Sequence, residues 1–287
     1  MAARIAAAIT AAITTAVIAC TAHASTSPAS SAQRIVTLGG TVTEIVYALG
    51  EGHRLVGNDE SSLYPHAATQ LPRIGYYRAV PVEGVVALNP DLILASEQAG
   101  PPNALSRLES IGIPLHRVSD KPSVASLNER ITQISAALGT HERGEQLVQS
   151  VNAALTAVQS LPESHARAVL LLNRTHTPQG AGHDTAAGLV LQLAGLVNVL
   201  ADQSGYKPIS AEALSGLAPD VIVIPRTTLD SVGGMEKLLT TPGIASTPAA
   251  ATQCIIVMDD LLILGTGPRL PDAVRALKET PCVARQG

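Results

Sequence analysis

A twelve-residue pattern that occurs twice constrains this chain more than any other feature. Glu83-Gly-Val-Val-Ala-Leu-Asn-Pro90-Asp91-Leu-Ile-Leu94 matches Glu212-Ala-Leu-Ser-Gly-Leu-Ala-Pro219-Asp220-Val-Ile-Val223 position for position in residue type. In each copy a glutamate opens a short helix, Pro-Asp breaks it, and an apolar run follows as a buried strand. A Gly-Tyr pair stands upstream of each glutamate: Gly75-Tyr76 in the first copy, Gly205-Tyr206 in the second. The spacing differs by one residue, so Tyr76 and Tyr206 are expected at equivalent places in two similar lobes.

The lobes also begin alike. Arg34-Ile-Val-Thr-Leu38 reads as a strand, followed by Gly39-Gly40 and a helix opened by Thr41 with Glu44 three residues on, a capping-box spacing. In the second lobe Ala168-Val-Leu-Leu-Leu172 is the strand, and Asp184-Thr185 caps the apolar helix that runs toward Leu193. Strands alternating with helices imply parallel sheets covered on both faces, with ligands at the carboxyl ends of the strands. Between the lobes, 123–138 and 141–161 read as helices. In the second of these Leu147, Val151, Leu155 and Val158 share a face, and Pro162 closes it. The expected fold is α/β: two similar lobes with mainly parallel sheets, joined by a long rigid helix, with the ligand cleft between them. The boundaries are 34–138 for the first lobe, 139–162 for the linking helix and 163–287 for the second lobe.

The amino-terminal segment reads as an export signal. Arg4 precedes an apolar run from Ile5 to Ala19, which is too short to span a bilayer. Ala22-His23-Ala24 fits a cleavage site after residue 24, whereas Val17-Ile18-Ala19-Cys20 fits a lipoprotein box with Cys20 lipidated. Both routes export the chain, to the periplasm or its membrane surface. Residues 25–33 read as a Ser/Ala/Pro-rich disordered leader. Loss or lipidation of Cys20 leaves Cys254 and Cys282, an even pair suited to a disulfide in an oxidising compartment. A formal charge of −4 without any basic cluster argues against nucleic acid as a partner. No Gly-x-Ser-x-Gly elbow, His-Glu-x-x-His or phosphate loop occurs, so the chain is not expected to be an enzyme. Asp259-Asp260 reads as a turn or core-edge pair, its side chains pointing to opposite faces.

The chain has no Trp, no Phe and only five Tyr, yet two of these form Gly75-Tyr76-Tyr77-Arg78. A phenol beside a guanidinium suits presentation of a phenolate to a hard cation such as Fe(III). A free phenol ionises near pH ~10. Ferric iron and a neighbouring guanidinium both favour its charged form.

Arg34-Ile-Val-Thr-Leu-Gly-Gly-Thr-Val-Thr-Glu-Ile-Val-Tyr-Ala-Leu-Gly50 resembles the opening of the periplasmic haem-binding proteins of bacterial haem ABC importers. So do Leu55-Val-Gly57, Ser62-Leu-Tyr-Pro65, Leu71-Pro72, Gly75-Tyr76-x-Arg78 and Asn89-Pro-Asp91. In the second lobe the likeness continues through Gly205-Tyr-Lys-Pro208, Met258-Asp-Asp-Leu-Leu262 and Gly265-x-Gly-Pro-Arg269, so that it spans Arg34 to Leu277. The general pattern is shared with cobalamin and ferric-siderophore carriers, whereas the Gly-Tyr-x-Arg loop points to haem. Tyr77 departs from the family pattern, which more often has a plain apolar residue there.

The resemblance implies a monomeric carrier that holds haem b as cargo in the interlobe cleft and docks on an ABC permease dimer with its ATPase. By the same resemblance Tyr76 ligates the iron and Arg78 is the neighbouring cation. Tyr77 packs on the porphyrin or takes the iron in place of Tyr76. His176, with His183 next to it in line, is a candidate second ligand, and Tyr206 faces the cleft from the second lobe. Arg226, with Arg78 and Lys207, is a candidate for the haem propionates, while Arg73 and Arg269 are expected to serve structure. Glu83 and Glu212 are the permease-docking carboxylates, and each also suits a helix N-terminus. The alternatives are a cobalamin or ferric-siderophore carrier, and a protein that senses or processes haem.

Overall fold

The structure, a computed structural model, describes residues 32–173 and 178–284. In the first lobe β1 (Ile35–Leu38) and β3 (Leu92–Ser96) are buried at every position. That is what a parallel strand covered on both faces requires. With β2 (Leu55–Asn58) and β4 (Leu115–Val118) they form a parallel sheet in the order β2-β1-β3-β4. The crossovers are α1 (Gly40–Ala48), α2 (Val82–Ala87) and α3 (Pro102–Ser110).

Two helices lead out of this lobe: α4 (Val124–Leu138) and α5 (His141–Gln159). Gly139 takes the left-handed conformation between them, at φ 72°, and the chain turns back on itself. Val151, Leu155 and Val158 on α5 are buried, with Leu147 packed at their edge.

The second lobe contains β5 (Arg167–Asn173), β6 (Pro178–Ala181), α6 (Ala186–Leu193), β7 (Val197–Asn198) and β8 (Tyr206–Pro208). Then come α7 (Ala211–Leu217), β9 (Val221–Pro225), α8 (Arg226–Val232), α9 (Met235–Leu239) and α10 (Pro248–Ala251). The chain ends through β10 (Ile255–Met258), α11 (Asp260–Leu264), α12 (Leu270–Lys278) and α13 (Pro281–Ala284). The sheet order is β10-β9-β5-β6-β8, with β7 beside the start of β5. β10, β9, β5 and β7 are parallel, whereas β6 and β8 add an antiparallel edge.

The sequence repeat has one physical meaning in both lobes. The Asp91 carboxylate accepts from the Gln33 and Arg34 amides at 2.8 and 2.9 Å, and Arg34 donates to the Leu88 carbonyl at 2.7 Å. Asp220 likewise accepts from the Arg167 amide at 3.0 Å, and Arg167 donates to the Leu217 carbonyl at 2.9 Å. Asn89 and Ala218, each just before the proline, share the left-handed conformation, at φ 47° and 44°. Each Pro-Asp therefore clamps the first strand of its lobe to the end of a helix.

Thr185 caps α6, accepting from the Gly188 amide at 2.9 Å. The capping box expected at Thr41 and Glu44 is corrected. The cap of α1 is Gly39, and the free amides of Gly39 and Gly40 donate to Asp59 and Ser61, at 2.9 and 2.8 Å. Thr41 and Glu44 are drawn away by two arginines that cross between lobes. Arg130 on α4, 0% exposed, donates to Thr41 Oγ1 at 2.9 Å and to the Thr266 carbonyl at 2.8 Å. Arg269, at the start of α12, bonds to Glu44 Oε2 at 3.0 Å.

One buried cluster runs from Ile35 through α4 and α5 to Val283, so the two lobes share a core. Two smaller clusters lie on the outer faces of the sheets. Cys254 and Cys282 form a disulfide 28 residues apart, tying the C-terminal helix α13 to the segment before β10. Loop-closure entropy makes such a link worth about 3.5 kcal/mol.

Candidate functional site

Carboxyl ends of strands and first turns of helices meet in the cleft between the lobes, where they enclose a cavity of about 530 Å3. Tyr76, Tyr77 and Arg78 stand on the first-lobe side, and Tyr206 on the other. The walls between them mix apolar side chains (Leu63, Leu172, Leu261, Leu264) with polar ones.

The two tyrosines of the doublet differ sharply in environment. Gly75, at φ 89°, turns the chain so that Tyr76 projects with 38% of its surface exposed. Tyr77 turns inward against the outer core of the lobe, with its ring centroid 4.9 Å from that of Tyr76 in an edge-on arrangement. Burial pushes the Tyr77 phenol up to about 12, in spite of the Arg78 guanidinium beside it.

Arg78 is a charged neighbour of both phenols, but its hydrogen bond goes to Tyr77 and not to Tyr76. Its Nε donates to Tyr77 Oη at 2.9 Å, its Nη2 bonds to Gln98, and the guanidinium carbon lies 5.2 Å from the Tyr77 ring centroid. The half-buried hydroxyl needs a partner more than the exposed one does, and a cation one residue away is the nearest donor.

Tyr206 lies on β8, partly buried against the shared core, and faces the cavity. Its neighbour Lys207 falls on the other face of the strand, exposed and outside the cavity lining. Arg226 is also corrected: it opens α8 as an exposed residue outside the lining, and Thr227 and Thr228 take the cleft positions. The strand ends at Pro225, so the first helical residue already points away. His183 lines a neighbouring pocket, not the main cavity. Its Nδ1 lies 2.9 Å from the Ala201 carbonyl and its Nε2 3.3 Å from Asp184. His176 lies outside the described residues.

Glu83 and Glu212 stand exposed in the first turns of α2 and α7. Glu83 is 3.6 Å from Arg107 in a solvent-exposed pair, of a kind worth little. The backbone amide of Glu212 and the Ser210 hydroxyl hold the Glu212 carboxyl below the usual carboxylate range. Arg269 has the structural role expected of it: besides Glu44 it stacks 3.6 Å from the Tyr64 ring centroid. Arg73 is exposed and bridges to Asn58 through the backbone.

Asp120 and Gln98 gave no signal in the sequence, and Asp260 read only as part of a turn or core-edge pair. Asp120 lines the cavity while pairing with Arg130 at 2.7 Å. Gln98 joins Arg78 to the Asp120 carbonyl. Asp260 accepts from the Thr227 amide at 3.1 Å and from its hydroxyl, and lines the cleft, while Asp259 caps α11 through the Leu262 amide. Asp120 and Gln98 stand singly in the chain, and only the fold assembles them, whereas the Asp259-Asp260 pair was visible but its cleft-facing member was not.

A sequence profile of the family described as periplasmic binding protein matches residues 35–262. Among solved structures, the periplasmic haem-binding protein RhuT from Roseiflexus sp. RS-1, in apo form, superposes with a TM-score of 0.83 at 39% identity. The match covers 86% of this chain and 96% of that one. An uncharacterised ABC transporter substrate-binding lipoprotein, YvrC, from Bacillus subtilis (strain 168) is 30% identical over 86% of this chain and 79% of its own length. The vitamin B12-binding protein of Yersinia pestis (strain Pestoides F) is 33% identical over 70% of this chain and 72% of its own.

Proposed function

The chain belongs to the periplasmic binding protein family, a family of non-enzymatic transporter components, and from that premise we propose that it captures haem in the interlobe cleft through a Tyr76–Fe(III) bond. It is the substrate-binding protein of an ABC transporter, and in our reading it hands the haem to the permease of an importer. The observation that carries this reading is the exposed Tyr76 phenol, set at the wall of a cleft with apolar side chains on both sides. A hard anionic oxygen prefers Fe(III), and it is released on reprotonation or reduction, as cargo requires. The likeness to a haem-binding protein at 39% identity supports the same cargo.

Tyr77 is the packing partner in this reading, because burial makes its phenol the harder of the two to ionise. Arg78, the cationic side chain in the described cavity lining, would serve a propionate; Arg226 and Lys207 would contribute only from outside the lining. Tyr206 closes the opposite wall, and His176 is the proposed second ligand from the second lobe. Glu83 and Glu212, at equivalent places on the two lobes, are the proposed docking points for the permease. Residues 1–24 are the proposed export signal, with Cys20 the alternative point of lipid attachment. Among the described residues no helix is long and apolar enough to cross a membrane.

Hemin titration of wild type and Tyr76→Ala tests the reading. A tyrosinate-ligated ferric spectrum is expected in the wild type. In the variant that spectrum is expected to be lost, with binding at least about tenfold weaker, or 1.4 kcal/mol. Unchanged spectra and affinity would reject Tyr76 as the ligand. Cobalamin is the second reading, favoured by the B12-binding relative at 33% identity. A chain with no Trp or Phe has few surfaces to lay against a corrin. Cyanocobalamin in the same titration separates the two cargoes.

A further inference from the structure

We propose that Asp59 is the positioning residue for Tyr76, fixing the ligand-bearing loop against the first turn of α1; the inference rests on the haem reading above. Asp59 follows β2 and is 0% exposed. Its carboxylate accepts five hydrogen bonds. Oδ1 takes the Gly39 amide at 2.9 Å and the Ser62 hydroxyl at 3.1 Å. Oδ2 takes the Ser61 amide at 3.0 Å, the Ser61 hydroxyl at 2.7 Å and the Tyr77 amide at 3.3 Å.

None of these donors is a cation. A buried carboxylate held only by dipoles is costly to desolvate, so its place here reflects what it organises. Two segments of the cleft wall converge on it. One is the start of α1, where Gly39 donates to Asp59 directly and Gly40 reaches it through the Ser61 hydroxyl, at 2.8 Å. The other is the tyrosine loop. Glu60, next to Asp59, donates its amide to the Gly75 carbonyl at 2.8 Å, while Asp59 itself takes the Tyr77 amide. Tyr76 is thus bracketed on both sides by the 59–60 dipeptide. Its side chain is free to project because its backbone is tied.

Asparagine cannot replace this carboxylate. An amide group carries one acceptor oxygen and one NH2. Whichever way it turns, the NH2 meets a backbone amide that can only donate: that of Gly39 on one side, those of Ser61 and Tyr77 on the other.

The test combines two readouts on Asp59→Asn. Amide hydrogen exchange of the apo protein reads the anchor: exchange at Tyr77 is expected to rise at least about tenfold, with the second-lobe amides unchanged. Hemin titration reads the consequence: affinity is expected to fall about tenfold, with the tyrosinate-to-iron absorption shifted or weakened. Thr247→Ala, which removes a helix cap in the second lobe, controls for general destabilisation and is expected to leave that absorption unchanged.

A folded Asp59→Asn with unchanged exchange at Tyr77 overturns the proposal. So does faster exchange with unaltered hemin affinity and absorption. If wild type does not bind hemin, the haem reading fails, and the exchange arm still decides whether Asp59 anchors the loop. If Asp59→Asn does not fold, Asp59→Glu, which displaces the carboxylate by one methylene, is read in the same way. If neither variant folds, a Tyr77 amide unprotected in wild type overturns the proposal and a protected one upholds it.

Discussion

Tyr76 and Tyr77 are neighbours in the chain with opposite surroundings, and burial is what separates their chemistry. The folded protein holds the Tyr77 proton to about pH 12, against ~10 for an unfolded phenol. The folded state therefore binds that proton more tightly, and the stability it contributes is whole below pH ~10. That contribution is lost as pH rises toward about 12. Burial raises the Tyr47 phenol as well, so titration of phenolate absorbance is expected to show two late tyrosines in wild type, the later of which is missing in Tyr77→Phe. Hemin binding is expected to survive the same substitution if, as proposed, Tyr76 and not Tyr77 ligates the iron. The doublet itself was legible in a chain so poor in aromatics. Which phenol is buried was not, because that depends on Ile74 and Val80 on either side dipping into the outer core. Asp59, Asp120 and Gln98 were invisible for another reason: a lone polar residue carries no pattern until the fold supplies its partners.

At the scale of elements, the repeated helix–Pro-Asp–strand unit was legible because its parts are local: an apolar run, a breaker and a helix start. Its purpose was not, since Arg34 and Arg167 lie more than fifty residues from the aspartates they meet. Asp91→Ala and Asp220→Ala are each expected to cost about 1–2 kcal/mol in urea unfolding. They are also expected to add in the double variant, because the two clamps share no partners. The failed capping box shows the limit of local reading. The Thr41–Glu44 spacing was right, but both side chains hold arginines from distant segments instead of their own helix. The antiparallel edge of β6 and β8 left no trace either, being two short strands without an apolar run.

At the scale of the whole molecule, the lobes are joined by a shared core, a long helix and two arginines that cross between them. Glu44 is buried, which pushes its carboxyl up, and Arg269 opposes that shift. Glu44→Ala leaves the Arg269 cation short of its main partner and is expected to cost about 3 kcal/mol. Urea unfolding followed by tyrosine fluorescence and by circular dichroism is expected to give one coincident transition in wild type, because the largest buried cluster runs through both lobes. The two-lobed plan with its helical joint was legible from the repeat and the periodicity of 141–161. The bonding of Arg130 to Thr266 was not, as it spans 136 residues. A joint so braced has a consequence for traffic. Halves held by these contacts are expected to keep the same outline empty and full, which small-angle scattering of the protein with and without hemin checks. A transporter that met it by outline alone would admit the vacant form as readily as the laden one, and surplus unloaded protein is then expected to slow uptake.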